Sequence, residues 1–183
     1  MPENDRKLTM VELDRIPASV YHRAADSGLH LVLDDLRSRH NVGSLFRSAD
    51  AFGVERIHLC GFTPLPPHRE IEKTALGATS SVPWEHGVST LGTVRDLQEQ
   101  GFFVVAVEQT LQARPLGGTD LPSDRKLALV LGNEVHGVAD EVIAACDLCL
   151  YLPQSGSKHS LNVSVCGGVV LWQLSQDRRP ARS

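Results

Sequence analysis

The chain has 183 residues, 42% of them apolar and 22% charged, with a formal net charge of −4 at pH 7. That length suits one α/β domain with a real core and is too short for two ordinary ones. The acidic balance argues against a protein whose only task is to coat nucleic acid. No apolar run reaches the roughly 18 residues a membrane helix needs, and the opening MPENDRKLTM lacks the apolar stretch of a signal peptide, so the expected location is the cytoplasm, with no membrane partner.

Residues 1–28 are polar and mixed and read as an N-terminal arm, with a turn of helix over Glu12 to Arg15 before Pro17. Leu29 to Leu33 is a short apolar run ending in Asp34-Asp35, the pattern of a buried strand. Asn41 is a good N-cap for a helix carrying Leu45, Phe46, Ala49 and Phe52 at helical spacing, and Gly53 suits its stop. Glu55 to Cys60 is a second strand, and Pro64, Pro66 and Pro67 break the chain into a loop. A short helix is expected over Arg69 to Leu76, a strand over Ser81 to Glu85, and a helix over Thr90 to Gln100 stopped by Gly101. Phe102 to Val107 is the clearest strand, continuous and rich in β-branched residues. Residues 109–125 read as loop, Leu127 to Leu131 as strand, Ala139 to Ala145 as helix and Leu148 to Leu152 as strand. Ser160 is then expected to cap a long helix to about Gln176, leaving 177–183 as a basic tail. Continuous apolar strands alternating with helices mean an α/β fold, a parallel sheet with helices on both faces.

Cys60, Cys146, Cys149 and Cys166 include one Cys-x-x-Cys pair, but no second pair follows it and it sits between a helix end and a strand. Buried, reduced cysteine is the reading, and no metal-ligand cluster stands out. Basic residues gather at Arg37, Arg39 and His40, at His68, Arg69 and Lys73, and at Arg178, Arg179 and Arg182. Each cluster alone is ordinary solvated surface; their meeting on one face would carry weight.

Three glycine-punctuated segments hold the candidate chemistry. They are Asn41-Val42-Gly43-Ser44-Leu45-Phe46-Arg47-Ser48-Ala49-Asp50-Ala51-Phe52-Gly53, then Gly132-Asn133-Glu134-Val135-His136-Gly137, then Pro153-Gln154-Ser155-Gly156-Ser157-Lys158-His159-Ser160-Leu161-Asn162-Val163-Ser164-Val165. The last two lie at the carboxyl ends of strands, where open parallel sheets bind ligands. Gly132 and Gly137 bracket a tight turn that carries Glu134. Gly167-Gly168 inside a helix costs about 1 kcal/mol per glycine against alanine and implies close backbone packing.

In order and spacing these segments resemble the three motifs of the SpoU-TrmH branch of the SPOUT methyltransferases, over residues 29–176. The third segment is the most specific. The resemblance implies a C-terminal deep trefoil knot, an exception to the rule against threaded chains. It implies S-adenosylmethionine bound without metal, by backbone at Val107, Gly132, Leu152 and Leu161, with Gly156 and Ser160 in the same loop. It matches Arg47 to the family's essential arginine, and Asn41, Glu134, Ser160 and Asn162 to its other polar site positions. It implies a homodimer with a site shared between subunits, and methyl transfer to a ribose 2′-OH of RNA. Gln154 stands where methionine is frequent and Cys166 where alanine is usual; neither removes a catalytic group.

Arginine does not act as a free base, because its pKa lies above about 12. Arg47 is therefore expected to bind the substrate phosphate and orient the hydroxyl, whose proton leaves through that phosphate or a water. Glu134 is expected to order the cofactor loop or Asn41. A short arm and a basic tail suit a folded tRNA loop, with rRNA the alternative. The rivals are a non-catalytic RNA-binding relative and a nucleotide-binding enzyme. No GxGxxG follows the first strand, and Ser155-Gly156-Ser157-Lys158 lacks the earlier glycine of a P-loop.

Overall fold

The computed structural model describes residues 6–9, 12, 27–157 and 160–177. The basic tail, Lys158-His159 and most of the N-terminal arm, including the turn expected before Pro17, lie outside the described residues.

Seven strands form one sheet in the order β3-β2-β1-β6-β4-β7-β5, every neighbouring pair parallel. They are β1 (Leu29–Asp34), β2 (Arg56–Cys60), β3 (Trp84–Gly87), β4 (Phe103–Val107), β5 (Arg114–Pro115), β6 (Leu127–Leu131) and β7 (Leu148–Tyr151). Alternate side chains of the central strands enter two separate cores. Leu29, Leu31 and Leu33 of β1, Leu127, Leu129 and Leu131 of β6, and Val105 and Val107 of β4 pack under α1 (Arg39–Ala51), α2 (Arg69–Ala75), α3 (Ala78–Ser81) and α6 (Val163–Asp177). Val32, Ala128, Val130, Val104 and Ala106 pack under α4 (Thr90–Glu99) and α5 (Asp140–Ala145). Burial on both faces explains why β4 and β6 are apolar at every position instead of every second one.

The structure moves several expected boundaries. Ser38, not Asn41, caps α1: its Oγ accepts from Asn41 N at 3.3 Å. Asn41 lies one turn inside the helix and is buried, which frees its amide for tertiary bonds. Ser160 does not cap the last helix, which starts at Val163; Asn162 Oδ1 accepts from Ser164 N at 2.9 Å and Val165 N at 3.4 Å. Residues 78–81 form a helical turn, so the third strand begins at Trp84 instead of Ser81. β5 forms inside the stretch expected to be loop, on the open edge of β7.

Gly167 and Gly168 divide in role. A Cβ at Gly167 would press on Leu45 Cδ2 and Leu131 Cδ1, so this glycine seats α6 against α1 and β6 of its own chain. A Cβ at Gly168 would meet only Ser48 Oγ, at an ordinary 3.6 Å.

Candidate active site

The strand order reverses beside β1, and a cavity of about 580 Å³ opens where β4, β6 and β7 end. This is where a parallel sheet offers a crevice. Val107, Leu131, Leu152, Leu161 and Val163 supply apolar wall. Its carboxylates are Glu108 and Glu134, and no lysine or arginine lines it among the described residues.

The floor is the turn after β6. Asn133 and Gly137 exchange both backbone bonds at 2.9 Å, and Asn133 Oδ1 accepts from Val135 N at 2.9 Å and His136 N at 3.1 Å. Gly132 permits this closure, since a Cβ there would fall on Val138 N and the Gly137 carbonyl. Gly137 needs its φ of +70°, and a Cβ on it would strike the Glu108 carboxylate. Asn133 Nδ2 donates to the Asp35 carbonyl at 2.6 Å, tying the turn to the end of β1.

The mouth is held by a chain of side chains from three elements. Glu134 accepts from Arg37 N at 2.8 Å, from Ser38 N at 3.0 Å and from Asn41 Nδ2 at 2.8 Å. Asn41 Oδ1 in turn accepts from Asn162 Nδ2 at 3.1 Å. Burial alone would raise the Glu134 pKa, but the hydrogen bonds from the Arg37 N–H, the Asn41 amide and the Ser38 N–H outweigh it and hold the carboxyl below its usual range. A carboxylate so engaged is a clamp on the start of α1.

The expected residues therefore fall into three groups. Val107, Gly132, Glu134, Leu152, Ser160, Leu161 and Asn162 line the cavity, and Asn41 braces its mouth. Gly156 is exposed, has open space around it and is not part of the lining. Arg47 stands exposed on α1, six residues beyond Asn41 and next to Ser48, which faces α6. Its guanidinium makes no hydrogen bond or ion pair among the described residues, and it does not line the cavity within this chain.

Glu108 was missed in the sequence reading. It is the first residue past β4, as Gly132 is past β6, and a carboxylate in that position was the available signal. Its Oε1 accepts from Gln109 N at 2.8 Å and its Oε2 from Val138 N at 3.0 Å, bracing the glycine turn. Cys166 also lines the cavity, with burial pushing its thiol up to about 11. Burial likewise raises Cys146 to about 12 and raises Cys149, so the Cys-x-x-Cys pair holds unreactive thiols.

Three known proteins are similar to this chain, one by sequence and two by structure. The 23S rRNA (guanosine-2′-O-)-methyltransferase RlmB of Nitrosomonas europaea is 36% identical over 148 residues, 81% of this chain and 56% of that protein. The AdoMet-bound rRNA methyltransferase from Sinorhizobium meliloti superposes with a TM-score of 0.78 at 25% identity, covering 90% of this chain and 62% of that one. The TrmH/SpoU tRNA modifying enzyme of A. aeolicus gives 0.75 at 25% identity, covering 86% and 82%. The chain thus spans less than two thirds of the length of its curated relative. The SpoU rRNA Methylase family model matches residues 28–172, almost the whole described domain, and the chain belongs to that family.

Proposed function

We propose that the protein transfers a methyl group from S-adenosylmethionine to a ribose 2′-OH of structured RNA. The observation that carries this reading is the cavity's charge. Two carboxylates and no described lysine or arginine suit a ligand bearing a sulfonium and an ammonium, and oppose the phosphates of ATP or NAD. The apolar wall and backbone-lined glycine turn suit an adenosine, and a volume of about 580 Å³ is ample for one cofactor. S-adenosylmethionine, when bound, supplies the electrophilic methyl group.

The chain's own residues do the positioning. Asn41, Glu134 and Asn162 hold the mouth in shape, Ser160 lines it, and the backbone of Val107, Gly132, Leu152 and Leu161 faces the cofactor. Gly156 belongs to this reading only as a loop position near the rim. Arg47 binds the phosphate beside the target ribose and aligns the hydroxyl, whose proton passes to that phosphate or to a water. Arg47 does not reach the cavity of its own chain, so it acts at the pocket of a second copy. The homodimer is part of the proposal, and Val165, Val169 and Trp172, exposed at 53%, 43% and 52% along one stripe of α6, support it.

The named relatives act on rRNA and on tRNA alike. The arm and tail that suggested tRNA lie largely outside the described residues, so both substrates enter the test. Calorimetry should give binding of S-adenosylmethionine and none of ATP or NAD. Incubation with unmodified tRNA and 23S rRNA should place a ribose methyl in one of them, unaffected by a chelator. Binding of ATP in preference to S-adenosylmethionine, or absence of ribose methylation in both RNAs, refutes the reading.

A further inference from the structure

Two of the basic clusters seen in the sequence, thirty residues apart, meet in the folded protein. Arg39 and His40 at the start of α1 and His68, Arg69 and Lys73 along α2 line one open concavity of about 630 Å³. Gly43 makes this possible. A Cβ there would fall on Thr74 Oγ1 and the Ile71 carbonyl, so α1 and α2 pack backbone to backbone. Thr74 Oγ1 then donates to the His40 carbonyl at 3.1 Å, fixing the two rows of cations relative to each other.

We propose that this groove binds the sugar–phosphate backbone of the RNA substrate next to the reactive ribose, an inference that rests on RNA being the substrate. Arg39, Arg69 and Lys73 are all exposed. The one carboxylate in the lining, Glu70, lies 3.6 Å from Arg39 with half its surface in solvent, so it neutralises little. Glu72, the other acid of α2, turns away to accept from Thr79 Oγ1 at 2.8 Å. His68 Nδ1 accepts from Glu70 N at 3.2 Å, which leaves the ring proton on Nε2 as a further donor. Donors without matching acceptors suit phosphate oxygens.

Position and surroundings favour RNA over an acidic protein segment. Arg39 and His40 directly precede Asn41, which braces the mouth of the cofactor cavity, so groove and mouth share the first turn of α1. Phe62 stands 62% exposed on the loop leading into His68, its N–H held at 2.9 Å by Asp35 Oδ1, and offers a face on which a base can stack.

The test uses the full chain, a fluorescent oligouridylate as a sequence-neutral probe, and anisotropy over a salt series. Arg69→Gln with Lys73→Gln should lower the slope of log K against log salt by about 1.4, two contacts at about 0.7 each on a single strand. Affinity at about 0.1 M salt should fall roughly 10- to 30-fold. Arg95→Gln, on the helix layer across the sheet, should leave the slope unchanged. With substrate RNA the double variant should show raised KM, unchanged kcat at saturation and unchanged cofactor affinity. Parental slope and KM in the double variant, while the parent methylates RNA, overturn the groove and leave the enzymatic reading standing. Oligouridylate binding lost in the double variant of a protein that methylates no RNA upholds the groove and overturns the enzymatic reading.

Discussion

Arg47 and Gly132 test opposite halves of the proposed chemistry. Arg47 is exposed and without a partner among the described residues, so its loss costs the fold nothing. Arg47→Ala should bind cofactor normally and lose methyl transfer by at least about a hundredfold, the scale of a misplaced reacting group. Arg47→Lys should fail almost as badly, because one ammonium does not reproduce a bidentate phosphate fork. Near-parental turnover in the lysine variant, measured at saturating RNA, sinks the assigned role. Gly132→Ala should do the reverse. Its Cβ would fall on the backbone of Val138 and Gly137, so the turn must open and S-adenosylmethionine affinity by calorimetry should drop more than about tenfold, the effect of more than about 1.4 kcal/mol. Parental affinity would show that the turn does not cradle the cofactor. At this scale residue types were legible in the sequence and their partners were not. Glu134 stood out between two glycines, but its bonds to Arg37, Ser38 and Asn41 cross more than ninety positions of chain. Glu108 carried no motif, and only its place beside Val138 shows its use.

Among the elements, α6 carries the proposed dimer contact. Its two adjacent glycines face different neighbours, and one substitution at each separates folding from association. Gly167→Ala should destabilise the monomer by about 1–3 kcal/mol through overpacking against Leu45 and Leu131, seen as a lower melting temperature. Gly168→Glu has room for its Cβ and should fold, yet a charge beside Val165, Val169 and Trp172 should split the dimer and abolish activity together. A stable dimer here should bury on the order of 1,200–2,000 Å². Mixing Arg47→Ala subunits with Gly132→Ala subunits should restore part of the activity if the two groups meet across the interface. A fully active monomer in sedimentation at assay concentration would falsify the shared site. Periodicity alone located α6 to within a few residues. It missed β5 and displaced β3, because a two-residue edge strand and a one-turn helix are too short to carry a period.

Across the whole molecule the sheet buries a polar chain far from the site. Glu85 Oε1 lies 2.9 Å from His58 Nδ1, His58 Nε2 lies 2.9 Å from His30 Nδ1, and His30 Nε2 stands 3.7 Å from Glu55. With both protons on Nδ1, His58 donates to Glu85, His30 donates to His58, and His30 Nε2 is left as a bare acceptor, the less costly kind of unpaired atom. Burial, helped by the neighbouring His58, lowers His30 to about 4, and burial also lowers His58. These rings are neutral in the folded chain, while the unfolded chain takes up protons from about pH 6.5 downward. Their contribution to stability is therefore whole above pH 6.5 and is lost as pH falls towards about 4. Melting temperature should drop by several degrees between pH 7.5 and pH 5, and His30→Gln should flatten that slope even if it melts lower throughout. An unchanged slope in the variant would assign the acid sensitivity elsewhere.

What the sequence determined by itself is what local pattern encodes. Continuous apolar runs at Leu29, Phe102 and Leu127 require strands buried on both faces, hence a parallel sheet between helices, and the spacing of three glycine-rich segments marks the family. What only the tertiary structure decided is which distant groups share a space. Ser38 takes the cap because Glu134, folded against it, holds Asn41 for the network to Asn162. Gly43 carries no packing signal in the sequence and proves to be the point where α1 meets α2, while the close packing expected of Gly167-Gly168 falls on Gly167. Two ordinary surface clusters become one groove. The physical reason is common to all of these. Hydrophobic burial and backbone hydrogen bonding are repetitive and leave a period in the chain, whereas a site is made of single contacts closed over long loops, whose partners sequence spacing does not name.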